Sequence, residues 1–203
     1  RNLAENERIE FLKKAAFDLG NARVTTANRY SKITNKCFEI AKDAILKGED
    51  PVDKIVEETI NSLNRRYSIM RKVGENLLGL IEENSTVLTQ CYGETIIGAL
   101  IAIAKERNKN FKVICAETRP FLQGARLTAS CFAEKDFDTT VITDNMVADT
   151  MNRGKIQLFT SAADSITEDG CVINKVGTFQ IALVADHFNI PYYVTGIPDK
   201  GKK

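Results

Sequence analysis

In "TQCYGETIIG", residues 89–98, a cysteine stands where a run suited to a β-strand meets an apolar run suited to a helix. A thiol at a strand end and close to a helix N-terminus feels a positive partial charge that favours thiolate, so Cys91 could act as a nucleophile or proton carrier. The bland alternative is a small buried hydrophobe, the usual state of a cysteine outside a disulfide. Gly93 would allow a ligand to approach the backbone closely. Asp164 in "TSAADSITEDG" is the second candidate. It suits a helix cap or turn, and equally a general acid/base facing a crevice.

Two further segments carry polar side chains with a possible use. In "ETRPFLQGARLTA" (117–129), Arg119 and Arg126 could clamp an anion, and "QGAR" could open a helix whose amides hold phosphate. The competing reading is a salt bridge from either arginine to an acid such as Glu117. In "NKVGTF" (174–179), Asn174, Lys175 and Gly177 precede a helix start and suit a phosphate or hydroxyl contact, without the spacing of a Walker loop. His187 is the only histidine, so no His-based metal set or Ser-His relay is available, and a packed or surface role is expected. The five cysteines, Cys37, Cys91, Cys115, Cys131 and Cys171, form no CxxC pair. Neither a disulfide framework nor a structural zinc site is expected, and reduced thiols in the cytoplasm are the simplest reading. A redox thiol would need a resolving partner near Cys91.

These residues need elements to hold them. Residues 3–84 read as helical, with Pro51 opening a new helix after "LKGED". From Val52 to Ile81, apolar residues at Val52, Ile55, Val56, Ile60, Leu63, Tyr67, Met70, Val73, Leu77 and Leu80 predict one buried helical face. Near residue 85 the pattern changes. Strands are predicted at 86–90, 111–117, 139–143, 156–161 and 191–196, with helices at 94–107, 124–134, 146–152 and 178–188. Strands separated by helices imply right-handed βαβ units and a mostly parallel sheet. The expected fold is α/β: an N-terminal helical region (1–84), then a Rossmann-like domain (85–203). Ligands of such sheets bind at the carboxyl ends of the strands, where "QCYGET", "AETRPFLQGAR", "TDN" and "SAADS" fall.

The chain has 203 residues, 28 basic and 27 acidic, for a net charge of +1. That balance argues against general affinity for nucleic acid or acidic membranes. No apolar run is long enough for a membrane span, and no secretory signal is visible. The chain starts at Arg1 rather than Met, as expected of a trimmed or incomplete protein.

Taken together, "AETRPFLQGARLTA", "VITDNMVADTM", "DGCVINKVGTFQIALVA" and "IPYYVTG" resemble the catalytic region shared by methylthioribose-1-phosphate and ribose-1,5-bisphosphate isomerases, whose superfamily includes the α, β and δ subunits of translation initiation factor 2B. "NARVTTANRY" (21–30) is similar to that family's "RPTAVNL" segment. The resemblance implies a catalytic pair, Cys91 and Asp164, with Arg23, Gln123, Asn174 and Lys175 as substrate contacts. It implies a sugar-phosphate substrate, no cofactor and a homodimer. It also implies longer chains at both ends, including an "RGAP" segment with a phosphate-binding arginine. This chain departs from the family pattern at "QCYGET" (family "HCN"), "AADSI" (family "GADRI") and "RVTT" (family "RPTA"). Those positions surround the substrate and bear on its identity. The alternatives are a non-catalytic regulatory subunit that senses a sugar phosphate or nucleotide, and an isomerase for ribose 1,5-bisphosphate or 5-deoxyribose 1-phosphate.

Overall fold

The computed structural model describes residues 3–22 and 27–197. The chain forms two compact units that divide between Tyr67 and Ser68, inside a helix and ahead of the change of pattern near residue 85.

The first unit is helical: α1 (Glu5–Asn21), α2 (Ala27–Leu46) and the start of α3 (Pro51–Leu80). The Glu7 carboxylate accepts the Ala4 amide at 2.9 Å and closes the first turn of α1. Asp50 caps α3 by accepting the Val52 amide at 2.9 Å, with Pro51 at the first helical position, where its missing N–H costs nothing. α1 and α2 approach closely at Gly20, where a Cβ would lie 2.9 Å from Ser31 Cα.

α3 corrects the expectation of one buried apolar face. Val52, Val56, Ile60, Leu63 and Tyr67 are all between 46% and 57% exposed. The better-covered side of that stretch runs through Ile55, Glu58, Ser62 and Arg66. Glu58 sits on it because Lys36 Nζ and Arg65 Nη2 donate to its Oε1 at 2.5 and 2.8 Å, and these bonds hold its pKa below the usual carboxylate range. In the second unit the apolar spacing predicts burial in part: Met70 and Leu77 are buried and Val73 is half-buried, but Leu80 is exposed, and the covered face runs through Leu78 and Ile81 instead.

That unit holds a five-stranded sheet, parallel throughout: β1 (Thr86–Gln90), β2 (Lys112–Ala116), β3 (Thr139–Ile142), β4 (Leu158–Ala162) and β7 (Tyr192–Thr195). Their order is β3-β2-β1-β4-β7, so the winding reverses between β1 and β4. A short antiparallel hairpin, β5 (Ser165–Ile166) and β6 (Val172–Ile173), follows β4 and was not foreseen, because two-residue strands carry no periodicity. Side chains alternate across the sheet. Val87, Val113 and Leu158 pack with α4 (Glu94–Glu106), α5 (Ala129–Ala133) and the end of α3. Leu88, Ile114 and Phe159 pack with α6 (Val147–Asn152) and α7 (Thr178–His187). Burial on both faces explains why the strands read as continuous apolar runs. The helix predicted from 124 is a π-helical turn, Gly124–Thr128, that leads into α5.

Burial separates the two parts of α3 energetically. Leu77→Ala is expected to cost about 2–5 kcal/mol of unfolding free energy, because it opens a cavity in a packed core. Val56→Asn, on the exposed stripe, should change stability by less than about 0.5 kcal/mol. Urea denaturation of both variants checks this; a large loss at Val56 would mean that the stripe is covered.

Candidate active site

At the carboxyl ends of the strands, two buried threonines hold the backbone of Cys91. Its amide donates to Thr118 Oγ1 at 2.8 Å, and its carbonyl accepts from Thr128 Oγ1. Thr118 Oγ1 in turn donates to Ala116 O at 3.0 Å. Both threonines are fully buried, so the hydroxyls substitute for the strand ladder that β1 has just left. Cys91 itself is half-buried with φ +64°, and Thr118 (φ +66°) and Leu122 (φ +60°) share that left-handed conformation. A β-branched residue there is strained, and such residues gather where surrounding structure overrides local preference.

The 117–123 loop is pinned from β3. The Asp144 carboxylate accepts the Thr118 amide at 2.8 Å and the Arg119 amide at 2.7 Å. Gly124 closes the loop onto β2, since a Cβ there would lie 1.8 Å from Ala116 O. This loop carries Gln123, whose Oε1 is buried without a hydrogen-bond partner. Unsatisfied buried acceptors are uncommon, and one at a strand-end crevice is suited to a donor from a ligand. Arg119 and Arg126 are exposed, and among the described residues neither pairs with Glu117.

Asp164 lies just beyond β4 and is half-buried, its amide donating to Ile173 O at 2.9 Å. Gln90 and Ser161 are register partners, so Cys91 and Asp164 leave neighbouring strands on either side of the winding reversal. Gly93 is the N-cap of α4, and a Cβ there would lie 2.8 Å from Ala162 Cβ. The close approach that requires glycine at this position is made by Ala162, the last residue of β4. Beside Cys91, a cavity of ≈ 20 Å³ between α4 and the ends of β1 and β4 is lined mostly by apolar side chains, among them Leu77, Val87, Ile96 and Phe132, together with Thr89, Gln90, Thr160 and Thr195. It has room for about one water, so a larger ligand would occupy the open crevice above it.

The 174–178 segment joins the same crevice. Lys175 Nζ stands 5.4 Å from the Phe121 ring centroid, which brings it to the loop that carries Gln123. Asn174 Nδ2 donates to Thr178 Oγ1 at 3.0 Å. Arg23 lies outside the described residues. His187 is exposed at the end of α7, its ring edge-on to Phe188 at 4.8 Å.

The other thiols have different surroundings. Burial pushes the Cys115 thiol up to about 12, which leaves it inert in the core. Tyr92 packs against the core beside α4 and α5, with Cys131 Sγ 3.9 Å from its hydroxyl. Burial first, then the Cys131 thiol, pushes Tyr92 up to about 12. Among the described residues no group of three or more His, Cys, Asp or Glu side chains could hold a metal ion, and no helix is long and apolar enough to cross a membrane.

Residues 3–197 match the Initiation factor 2 subunit family. The chain belongs to that family. Its similarity to curated members is substantial. It is 40% identical over 157 residues to a methylthioribose-1-phosphate isomerase of Fervidobacterium nodosum, a match covering 73% of this chain and 44% of the relative. It is 33% identical over 197 residues to a 5-deoxyribose 1-phosphate isomerase of Bacillus thuringiensis, covering 94% and 57%. Among solved structures, it is similar to the delta subunit of translation initiation factor 2B from A. fulgidus, with TM-score 0.69 and 34% identity over 96% of this chain and 58% of the other. The chain thus spans about half the length of the curated relatives it matches.

Sequence reasoning passed over Thr118, Thr128, Asp144 and Gln90. Each contacts a residue distant in the chain, and nothing local distinguishes a threonine that holds a cysteine from any other threonine.

Thr118→Val or Thr128→Val leaves a backbone group of Cys91 unsatisfied in a buried setting, and each is expected to cost about 1–3 kcal/mol in urea denaturation. No loss in either would show that the hydroxyls do not hold the turn. Tyr92 gives a pH signature. Its folded pKa is raised, so its contribution to stability is complete below the ordinary phenol value of about 10 and is lost as pH rises towards about 12. Ultraviolet titration of the folded protein should show one late phenolate fewer in Tyr92→Phe, with that of Tyr192, also raised by burial, remaining.

Proposed function

We propose that this chain carries the crevice of an aldose–ketose isomerase, which converts a ribose 1-phosphate derivative to its ribulose 1-phosphate form. Methylthioribose 1-phosphate is the leading substrate, with 5-deoxyribose 1-phosphate as the close analogue. The observation that carries this reading is the emergence of Cys91 and Asp164 from adjacent parallel strands at the winding reversal. In open α/β sheets that is where ligands bind. The isomerase relatives support the reaction class.

Phosphate on the anomeric oxygen blocks ordinary ring opening. The reaction must add a proton to the ring oxygen, break the bond between C1 and that oxygen, move hydrogen from C2 to C1, and take a proton from the C2 hydroxyl. One proton enters and one leaves, so an acid/base pair suffices, and the chemistry calls for no metal or nucleotide cofactor. Cys91 shuttles hydrogen between the carbons as a proton, and Asp164 exchanges with the ring oxygen or the C2 hydroxyl. Asn174, Lys175, Gln123 and Arg119 bind the sugar phosphate, and the unpartnered Gln123 Oε1 suits a sugar hydroxyl. The enzyme works in the cytoplasm, in methionine salvage, as a homodimer. The exposed Phe121, Val176 and Phe179 offer apolar surface for the second copy.

A regulatory role has one observation in its favour, the 34% identity to the initiation factor 2B delta subunit. Proton NMR of the purified protein with methylthioribose 1-phosphate, 5-deoxyribose 1-phosphate and ribose 1,5-bisphosphate separates the two. Ketose should form from the first or second. Cys91→Ser and Asp164→Asn should each lower turnover by about 10²-fold or more. Ketose formation that survives Cys91→Ser would remove the thiol from the mechanism. Silence from folded protein with all three sugars would favour the regulatory role.

A further inference from the structure

The residue before Cys91 has a task of its own. Gln90 is 3% exposed, and its side-chain amide reaches the start of α7. Its Nε2 donates to Val176 O at 2.8 Å, and its Oε1 accepts from Thr178 Oγ1 at 2.6 Å. Thr178 Oγ1 also accepts from Asn174 Nδ2 and lies 2.7 Å from Lys175 O. Gly177 holds φ +98° between these two attachments, and a Cβ there would come within 3.1 Å of Gln90 Nε2. One amide side chain therefore uses its donor and its acceptor on the segment that carries Asn174 and Lys175. It does so from the strand that delivers Cys91.

We infer that Gln90 is a positioning residue: it sets Asn174 and Lys175 at a fixed distance from Cys91 and so governs affinity for the phosphorylated sugar. The inference rests on the isomerase reading of the site. The reason is chemical. A primary amide presents one donor and one acceptor side by side, and this backbone-plus-hydroxyl pair needs both. No contact of Gln90 with the reacting carbons is implied, so the chemical step should be affected less than binding.

The test uses Gln90→Leu, Gln90→Glu and Thr178→Val in the full chain, with two readouts. Amide hydrogen exchange across 174–178 should accelerate by about tenfold or more in Gln90→Leu, while β1 and β4 stay protected. KM for the accepted sugar phosphate should rise by about tenfold or more, with kcat within about threefold of the parent. Thr178→Val should act in the same direction, and the double variant should be little worse than either single one, because both remove one linkage. Gln90→Glu adds a signature that a purely structural role would not produce. Its carboxylate faces the Val176 carbonyl without a proton to donate. Relative to the parent, its KM should therefore fall as pH falls and the acid regains a donor. Unchanged exchange across 174–178 in Gln90→Leu would overturn the proposal, as would faster exchange with an unchanged KM. If the parent turns over none of the three sugars, the isomerase reading fails, and the exchange measurement alone decides whether Gln90 holds the segment.

Discussion

Everything at the crevice depends on how a single turn is held. Cys91 has left the strand ladder, so its amide and carbonyl need other partners in a place that water does not reach freely. Two threonine hydroxyls supply them, one from each end of the segment that follows β2. A lost bond there would leave a buried polar group bare, which costs more than the bond's own net worth. The loop therefore cannot move without Cys91, and Cys91 cannot move without the loop. Asp144 extends the same constraint to the end of β3 by accepting two successive amides of that loop.

The parallel sheet makes this arrangement possible. All five strands point the same way, so their carboxyl ends bring four loops to one edge. The reversal between β1 and β4 parts the helices of the two faces and leaves a gap above the central strand. Two side chains then divide the labour at the end of β1. Thr89 and Gln90 both border the small cavity under α4, but only the Gln90 amide bonds the start of α7. Cys91, next in line, sits at the junction of both. Three non-glycine residues with positive φ in this one region, Cys91, Thr118 and Leu122, show a backbone shaped by these tertiary bonds against local preference.

The departures from the family pattern acquire physical content in this setting. Tyr92 packs against the core beside α4 and α5, so its presence changes the packing near Cys131. Gln90 is different: it is a hydrogen-bonded strut between two of the segments that frame the site. Substitutions one residue to either side of the same cysteine thus have separate consequences: strand alternation would put both on one face, but β1 ends at Gln90 and Cys91, at φ +64°, breaks the alternation.

The sequence by itself determined the fold class, the five parallel strands to within a residue or two, and the strand ends that carry Cys91, Gln123 and Asp164, with Asn174 and Lys175 ahead of a helix start. It could do so because period-2 and period-3.6 patterns, with β-branched runs, are local signals. Only the tertiary structure decided which face of α3 is covered, since an apolar stripe records a preference for burial and not the presence of a partner. Only it revealed the β5–β6 hairpin, whose strands are too short to show a period. And only it assigned Thr118, Thr128, Asp144 and Gln90 their roles. Their hydrogen bonds span 26 to 88 positions of chain. Such a bond depends on where two distant backbones end up, and no window of sequence encodes that.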